Sequence, residues 1–222
     1  VSVALGMAKA RTMQHQDYDV IALIGDGALG GGLSFEGLNN AGASGEPMIV
    51  ILNDNGMSIA PNVGAVSRHL SRLRTKLGTG AVGGRIYQIS HDVKTALKKT
   101  LLPGSSMFES MGFAYMGPVD GHDVEALEQS LQWAREQRCP VLLHVRTVKG
   151  KGYAPAEERP ADYHGVGPFD PETGRPRKPS GADFSHVFGQ ELTKLAGEDE
   201  RVCAITAAMQ EGTGLTEFAG AY

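Results

Sequence analysis

Two short apolar runs, each leading into a polar or glycine-rich motif, constrain the fold of this chain most strongly. The run Asp19–Ile24 precedes Gly25-Asp26-Gly27, and the run Pro47–Leu52 precedes Asn53-Asp54-Asn55. Neither run alternates apolar with polar residues, which is typical of parallel strands covered on both faces. Between them, Leu33–Ala43 reads as a helix. The stretch therefore predicts a strand–helix–strand unit whose two motifs lie at one edge of a sheet.

The residue types at the two predicted strand ends suit a hard cation. Asp26 offers a carboxylate and Asn55 offers an amide oxygen. Magnesium binds oxygen ligands and usually shares its coordination shell with phosphate groups, so two or three protein oxygens suit a bound diphosphate. Glycines let the backbone turn tightly, let a ligand approach closely, and leave Asp26 pointing out of the edge. The alternative is that the first motif is only a tight turn and the second only a polar loop.

Strands and helices continue to alternate further along the chain. Predicted strands cover Phe113–Met116 and Val141–Val145, and a helix capped by Asp123 covers Val124–Arg138. This alternation predicts an α/β fold with a doubly wound parallel sheet, whose ligands bind at the carboxyl edge of the strands. Further predicted helices are one capped by Asn62 that runs to Leu77, one over Ser90–Lys99, and a short one over Phe108–Met111.

The C-terminal third differs in composition from the rest. Residues 157–182 contain five prolines and four glycines and few apolar positions, which predicts a linker. Beyond it, a helix capped by Asp183 and a strand over Arg201–Thr206 predict the start of a second, similar α/β domain. The expected division is a first domain over 1–156, a linker over 157–182 and an incomplete second domain over 183–222. Val1 starts inside a helix-like segment, so we expect the chain to be part of a longer protein.

Composition excludes some classes of function. The formal net charge of -4 argues against a general nucleic-acid binder, because no basic excess would drive counterion release. No apolar run reaches membrane-spanning length, and no signal segment opens the sequence. Cys139 and Cys203 lack the spacing of a metal or redox motif, which fits a reduced cytosolic compartment.

Two polar features have ordinary structural interpretations. The helix after Asn62 carries a basic face, which could meet a phosphate but is more often simply solvated. That face consists of Arg68, Arg72, Arg74 and Lys76. His144 lies in the middle of an apolar strand, and we interpret it as a core histidine.

Five segments together resemble the 1-deoxy-D-xylulose-5-phosphate synthase family, thiamine-diphosphate-dependent relatives of transketolase, over essentially the whole chain. They are GDGALGGGLSFEGLNNAG from Gly25, ILNDNGMSIAPNVGA from Ile51, YMGPVDGHD from Tyr115, VKGKGY from Val148 and AMQEGTG from Ala208. The GPVDGHD and NDNGMSIAPNVGA stretches distinguish this family from transketolase itself. The resemblance implies the thiamine-diphosphate-binding fold.

The resemblance also implies thiamine diphosphate and Mg²⁺ as cofactors. The expected magnesium ligands are the carboxylate of Asp26, the side chain of Asn55 and the main-chain carbonyl of Met57. The expected cofactor-binding residues are Gly25, Asp26, Gly27, Ala28, Asn55, Met57, Tyr115 and Glu211. Gly27 and Ala28 would bind the diphosphate through backbone N–H groups. Tyr115 would contact the cofactor from its strand end, with a buried core tyrosine as the alternative.

The implied reaction condenses pyruvate with glyceraldehyde 3-phosphate, releases carbon dioxide and gives 1-deoxy-D-xylulose 5-phosphate. Glu211 would hydrogen-bond N1′ of the aminopyrimidine, and His122 would supply a proton to the developing alkoxide. Without the resemblance, Glu211 would be a solvated charge and His122 a structural partner of the following helix. The resemblance further implies a homodimer, located in the bacterial cytoplasm or, in a plant, in the plastid stroma.

Two other functions remain open from the sequence. A transketolase-type ketol transferase would share the cofactor motifs, although the GPVDGHD stretch disfavours it. The second alternative is a diphosphate-binding module without turnover, which would hold a cofactor or act as a regulatory fragment. Product analysis separates the first alternative from the synthase, and carbon dioxide release from pyruvate separates the second.

Overall fold

The structure is a computed structural model that describes residues 1–57, 62–76, 107–177, 183–207 and 209–222. The chain splits into two compact units, with the change between them at Val148 and Lys149. The predicted helix over Ser90–Lys99 and the predicted end of the preceding helix at Leu77 lie outside the described residues. The domain boundaries expected from the sequence stay a prediction.

The N-terminal unit contains one parallel sheet of four strands in the order β1-β2-β4-β3. This arrangement confirms the predicted α/β class with a parallel sheet. Its elements, in chain order, are α1 (Ser2–Met13), β1 (Ile21–Gly25), α2 (Asp26–Leu29), α3 (Gly32–Ser44), β2 (Ile49–Asp54), α4 (Ala65–Lys76), α5 (Met107–Ser110), β3 (Ala114–Asp120), α6 (Val124–Glu136) and β4 (Val141–Arg146).

Apolar side chains pack on both faces of the sheet, on one face along all four strands and on the other along β2, β4 and β3. On one face, residues of α1, α3, α4 and α5 form the main core with β2 and β4, including the buried Leu38, Leu52, Phe108 and Leu142. On the other face, Ala134 of α6 packs with Ile49 and Val141. Helices on both faces are what a doubly wound sheet requires, because each face of a parallel sheet must be buried.

The prediction that the first strand is covered on both faces is wrong. Strand β1 is an edge strand, and its Leu23 is 72% exposed and its Ile21 49% exposed. Helix α6 packs against β3 and β4, so it leaves the β1 part of that face open. An unbroken apolar run predicts a strand, but it does not show whether a helix covers each face of that strand.

Two predicted helix caps are confirmed, and a third is wrong. The Asp123 carboxylate accepts a hydrogen bond from the N–H of Ala126 at 3.0 Å, and that of Asp183 accepts one from His186 at 2.8 Å. Helix α4 begins at Ala65 instead of directly after Asn62. Gly64 has a φ of +100°, which is outside the helical range and sets the start of α4.

The C-terminal unit contains three helices among its described residues: α7 (Ala154–Glu158), α8 (Phe184–Glu198) and α9 (Thr216–Ala221). The strand predicted over Arg201–Thr206 does not form. The described part of this unit offers no neighbouring strand for it to pair with, and a lone strand has no partner for its backbone groups. Its Ile205 is accordingly 95% exposed.

Three aromatic rings pack together within the C-terminal unit. Ring centroids of Tyr153, Tyr163 and Phe169 lie 5.3 to 6.0 Å apart. The hydroxyl of Tyr163 also donates to the carbonyl of Gly174 at 2.8 Å. Two residues of the segment predicted as a linker, Tyr163 and Phe169, therefore pack against each other and against Tyr153. Across the described ranges of the whole chain, no helix has the length and apolar character needed to cross a membrane.

Candidate cofactor site at the carboxyl edge of the sheet

The two predicted motifs meet at the carboxyl edge of the sheet. Gly25 of β1 is paired with Asn53 of β2 in parallel register, so both strands end at the same level. The Asp26 carboxylate accepts a hydrogen bond from the N–H of Gly56 at 2.7 Å. The prediction that these motifs lie together is thus confirmed. Asp26 does not point out into solvent, however, because it is only 7% exposed and begins the short helix α2.

The carboxyl groups of Asp26 and Asp54 both accept from the Gly56 N–H at this edge. Burial raises the pKa of Asp26, and the contact with Asp54 raises it further. Burial also acts to raise the pKa of Asp54, but the hydrogen bond with His144, the contact with Asp26 and the charge of Arg74 together lower it. Asp54 therefore holds the negative charge of the pair most readily.

Asp54 is fully buried and has partners on both of its oxygens. It forms an ion pair with Arg74 of α4, and its other oxygen lies 2.8 Å from Nε2 of His144 on β4. The Nδ1 atom of His144 lies 2.7 Å from the hydroxyl of Tyr115 on β3. A buried chain of polar groups thus runs from Tyr115 through His144 and Asp54 to Arg74.

Sequence reasoning missed this buried chain. His144 is a core histidine, as interpreted, with no exposed surface, but its hydrogen bonds to Tyr115 and Asp54 were not anticipated. Arg74 is not simply solvated, because it pairs with Asp54. One signal was present: a histidine inside an apolar strand must find polar partners, since buried polar groups are nearly always hydrogen-bonded.

The loop after β2, residues 53–57, is held by several hydrogen bonds. Its Gly56 N–H lies between two carboxylates, 2.7 Å from Asp26 and 3.1 Å from Asp54. The Asn55 side-chain oxygen accepts from the N–H of Met57 at 3.0 Å. Thr147, which follows β4, donates its hydroxyl to the Asn53 side chain at 2.6 Å. These bonds fix the loop that carries two of the three expected magnesium ligands.

The glycine motif itself is exposed apart from Asp26. Gly25, Gly27 and Ala28 are all accessible to solvent at the edge. The N–H of Gly27 lies 2.8 Å from the Asp26 carboxylate, and the carbonyl of Ala28 accepts from the Ser34 hydroxyl at 2.9 Å. These contacts set the conformation of the motif, and diphosphate binding by its N–H groups stays a prediction.

Tyr115 lies in the core instead of at the surface of the edge. It is 6% exposed, and its ring stacks on Phe108 with a centroid distance of 5.9 Å. Burial raises the pKa of its hydroxyl, so the group stays protonated, and the hydroxyl lies 2.7 Å from Nδ1 of His144. This location matches the alternative of a core tyrosine, and direct contact with a cofactor stays a prediction.

His122 lies in an exposed loop after β3. Its backbone N–H donates to the Asp120 carboxylate at 2.9 Å, and its Nε2 accepts from the N–H of Val148 at 2.8 Å. Because Nε2 accepts a hydrogen bond, a neutral ring carries its proton on Nδ1. The ring is therefore oriented by the backbone, with Nδ1 as its donor.

Two glycines let the GPVDGHD stretch lie against β4. A Cβ at Gly117 would stand 2.3 Å from the carbonyl oxygen of His144, and the backbone there has a φ of +124°. A Cβ at Gly121 would stand 2.5 Å from the side chain of Thr147. A larger residue at Gly117 would push β3 away from the β4 backbone, and one at Gly121 would require the side chains of Thr147 and Val145 to shift. These glycines are needed for packing beside the candidate site.

Glu211 belongs to the C-terminal unit, in a turn that precedes α9. Its side chain is exposed and lines an open cavity of about 360 Å³. The other lining residues are Asp183, Ser185, His186, Gln190, Gly212, Gly214, Thr216 and Glu217. The catalytic role expected of Glu211 stays a prediction.

Comparison with known proteins assigns the chain to a family. The family profile for 1-deoxy-D-xylulose-5-phosphate synthase matches residues 1–147, which include Asp26, Asn55, Met57, Tyr115 and His122. The chain belongs to the 1-deoxy-D-xylulose-5-phosphate synthase family. The resemblance noted from the five sequence segments is thereby confirmed.

Relatives of this family are similar to the chain along its whole length. The 1-deoxy-D-xylulose-5-phosphate synthase of Pelotomaculum thermopropionicum is 49% identical over 236 aligned residues, covering 100% of this chain and 37% of that protein. The synthase of Desulforudis audaxviator is 48% identical and is covered to 36%. The chain therefore spans little more than a third of the curated relatives it matches.

Among solved structures, the transketolase of Campylobacter jejuni is 19% identical to the chain, with a TM-score of 0.47. That alignment covers 96% of this chain and 26% of the transketolase. The TM-score is too low to add to the fold assignment, which stands on the parallel sheet itself.

Proposed function

We propose that this chain is the cofactor-binding part of a 1-deoxy-D-xylulose-5-phosphate synthase. The whole enzyme would join pyruvate to glyceraldehyde 3-phosphate, with loss of carbon dioxide, to give 1-deoxy-D-xylulose 5-phosphate. The observation that carries the proposal is the hydrogen bond between the Asp26 carboxylate and the Gly56 N–H, at 2.7 Å. It joins the glycine motif to the loop that bears Asn55 and Met57, at the edge where parallel sheets bind ligands.

The charges at this edge suit a divalent cation. Asp26 is buried beside a second carboxyl group, which raises its pKa, and within the described ranges no Lys, Arg or His forms an ion pair with it. Asp54, in contrast, already has Arg74 and His144 as partners. A cation beside Asp26 would stabilise its ionised form.

The donor set also suits Mg²⁺. Mg²⁺ would be held by the Asp26 carboxylate, the Asn55 side-chain oxygen and the Met57 carbonyl, which are all hard oxygen ligands. Among the described residues, no three His, Cys, Asp or Glu side chains converge as a metal site. A site of one carboxylate, one amide and one carbonyl leaves room for diphosphate oxygens. Gly25, Gly27 and Ala28 would line the diphosphate from the glycine motif.

Residues of this chain would then position and transfer protons. When bound, thiamine diphosphate supplies the thiazolium that stabilises the carbanion left by decarboxylation. Glu211 would hold a proton against N1′ of the aminopyrimidine. His122 would donate a hydrogen bond from Nδ1 to a substrate oxygen while its Nε2 accepts from Val148. Transfer of a proton to that oxygen would require the imidazolium form of the ring, in which Nε2 no longer accepts from Val148. Its orientation by the backbone would keep that nitrogen available.

Location and assembly complete the proposal. The relatives reported above are bacterial, and we place this protein in the bacterial cytoplasm as a homodimer. Cross-linking and sedimentation of the purified protein would test the dimer. A monomer at all concentrations would refute that part of the proposal alone.

Titration calorimetry of thiamine diphosphate, with and without Mg²⁺, tests the binding function. We expect binding that requires Mg²⁺ and is lost in Asp26→Ala. The matched control is Asp19→Ala, because Asp19 lies just before the same strand with a half-exposed side chain. Binding that is equal with and without Mg²⁺ would refute the site.

Carbon dioxide release from pyruvate separates catalysis from binding alone. Release with glyceraldehyde 3-phosphate, and formation of the five-carbon product, supports the synthase. Binding without release supports the diphosphate-binding module.

A further inference from the structure

The buried chain of polar groups beneath the 53–57 loop has no role in the chemistry described so far. It consists of Tyr115, His144, Asp54 and Arg74, from β3, β4, β2 and α4. Tyr115, His144 and Asp54 are each at most 6% exposed. Burying polar groups is costly unless they are paired, so the presence of these four polar residues needs an explanation beyond the packing of a core.

The hydrogen bonds of this chain have one consistent direction. The Tyr115 hydroxyl lies 2.7 Å from Nδ1 of His144, and a neutral ring that carries its proton on Nε2 accepts the hydroxyl proton at Nδ1. With its proton on Nε2, His144 donates to the Asp54 carboxylate at 2.8 Å. The other Asp54 oxygen accepts from the Gly56 N–H at 3.1 Å, next to Asn55. The position of the Tyr115 hydroxyl is thereby linked to that of the loop through two side chains.

Neutralising Asp54 would not require His144. Arg74 already supplies a positive charge to the same carboxylate. Leu142 and Leu143 in the same strand are fully buried and apolar, so the packing of the sheet alone would not require a histidine at position 144. His144 orients the Asp54 carboxylate, because it binds the oxygen that does not accept from Gly56.

We propose that Tyr115 and His144 are positioning residues that orient Asp54, so that the Gly56 N–H is held between Asp54 and Asp26. The 53–57 loop then presents Asn55 and Met57 to Mg²⁺ before the ion binds. This inference rests on the proposed cofactor site and deepens it. It also assigns Tyr115 a role through His144 in place of direct contact with the cofactor.

Two variants each remove a different hydrogen bond from the buried chain of polar groups. Tyr115→Phe removes one hydroxyl, and His144→Gln removes the bridge to Asp54. Val141→Ala is the matched control, because Val141 is fully buried in the same strand but packs on the opposite face of the sheet. It lowers stability without touching the polar chain.

The first readout is amide hydrogen exchange at Gly56 in the metal-free chain. We expect exchange at least about 10-fold faster in both variants, because the carboxylate that shares the N–H loses its fixed position. We expect the amides of β2, such as Val50, to keep the protection they have in the control. Equal Gly56 exchange in wild type, Tyr115→Phe and His144→Gln would overturn the proposal.

The second readout is the Mg²⁺ concentration that gives half-maximal thiamine diphosphate binding. Loss of a residue that orients a metal ligand typically weakens metal affinity roughly 10- to 100-fold, and we expect this for His144→Gln. Tyr115→Phe, one link further away, should give a smaller increase of about 3- to 10-fold. The control should match wild type. An unchanged Mg²⁺ requirement in both variants would also overturn the proposal.

The two readouts separate this inference from the proposed function. A wild-type chain that binds no thiamine diphosphate would refute the proposed function. The exchange rates would still decide whether Tyr115 and His144 order the loop, since they are measured without metal. If His144→Gln does not fold, Tyr115→Phe decides alone, because it leaves the packing of the ring on Phe108 intact.

Discussion

Replacing Asp54 by Asn should destabilise the N-terminal unit strongly. The substitution keeps the shape of the side chain but removes the negative charge that faces Arg74 and His144. Asp54 has no exposed surface, so solvent cannot replace the lost charge. The Asp54→Asn variant therefore tests whether the buried polar chain contributes to stability.

The size of the effect follows from the exposure of the two partners. Breaking a buried ion pair by removing one charge costs about 3 to 5 kcal/mol. Arg74 keeps 23% of its side chain exposed, so water can partly solvate the remaining charge. We therefore expect the free energy of unfolding to fall by about 3 kcal/mol, the lower end of that range.

Urea unfolding followed by fluorescence provides the assay. Trp133 is the single tryptophan of the sequence and packs against the buried cluster of Ile49, Ala134 and Val141 in the N-terminal unit, so its emission reports that unit. With a urea dependence of about 2 kcal/mol per molar, the midpoint should fall by about 1.5 M. Asp19→Asn is the control: it breaks the exposed pair with Arg135, worth at most about 1 kcal/mol.

The stabilisation that Asp54 provides should depend on pH. The pKa of Asp54 lies below its ordinary value of 3.8 in the folded protein, so its stabilisation is fully present above that value. It is lost as the pH falls through the folded pKa. The difference between wild type and Asp54→Asn should therefore be largest near neutral pH and narrow in acid. A difference below about 1 kcal/mol at pH 7, the range of an exposed ion pair, would refute the reasoning.

Two other variants probe the rest of the account. In the same urea assay, Gly117→Ala should lower the free energy of unfolding by about 3 kcal/mol, because its Cβ would stand 2.3 Å from the His144 carbonyl. Gly45→Ala, which has space for a Cβ, should lower the free energy of unfolding by about 1 to 2 kcal/mol. Equal losses in these two would contradict the packing argument. Glu211→Ala should bind thiamine diphosphate weakly but stop exchange of the C2 proton, measured by NMR in deuterated water. Glu217→Ala, on the same cavity, should leave exchange unchanged; unaltered exchange in Glu211→Ala would remove its assigned role.

The sequence was sufficient to predict the edge of the sheet and its motifs. Apolar runs ending in Gly25 and Asn53 predicted two parallel strands, and the register between those residues confirms it. Aspartates at positions 123 and 183 predicted helix starts because a carboxylate there accepts a backbone N–H. Such signals are local, so they can be interpreted without knowing the tertiary structure.

The buried polar chain could not be predicted in the same way. Asp54 and His144 are 90 positions apart in sequence, and Arg74 comes from a helix whose basic residues looked uniformly solvated. Periodicity shows which face of an element is apolar, but it does not show which polar side chains meet. The exposed face of β1 could not be predicted either, because the exposure of that face depends on where α6 packs.

The most direct test of the central claim is a titration of thiamine diphosphate into the wild-type chain and into Asp26→Ala, with Mg²⁺ present and then removed by chelation. The account predicts saturable binding only in wild type and only with Mg²⁺. Saturable binding that survives chelation, or that is equally tight in Asp26→Ala, would contradict it.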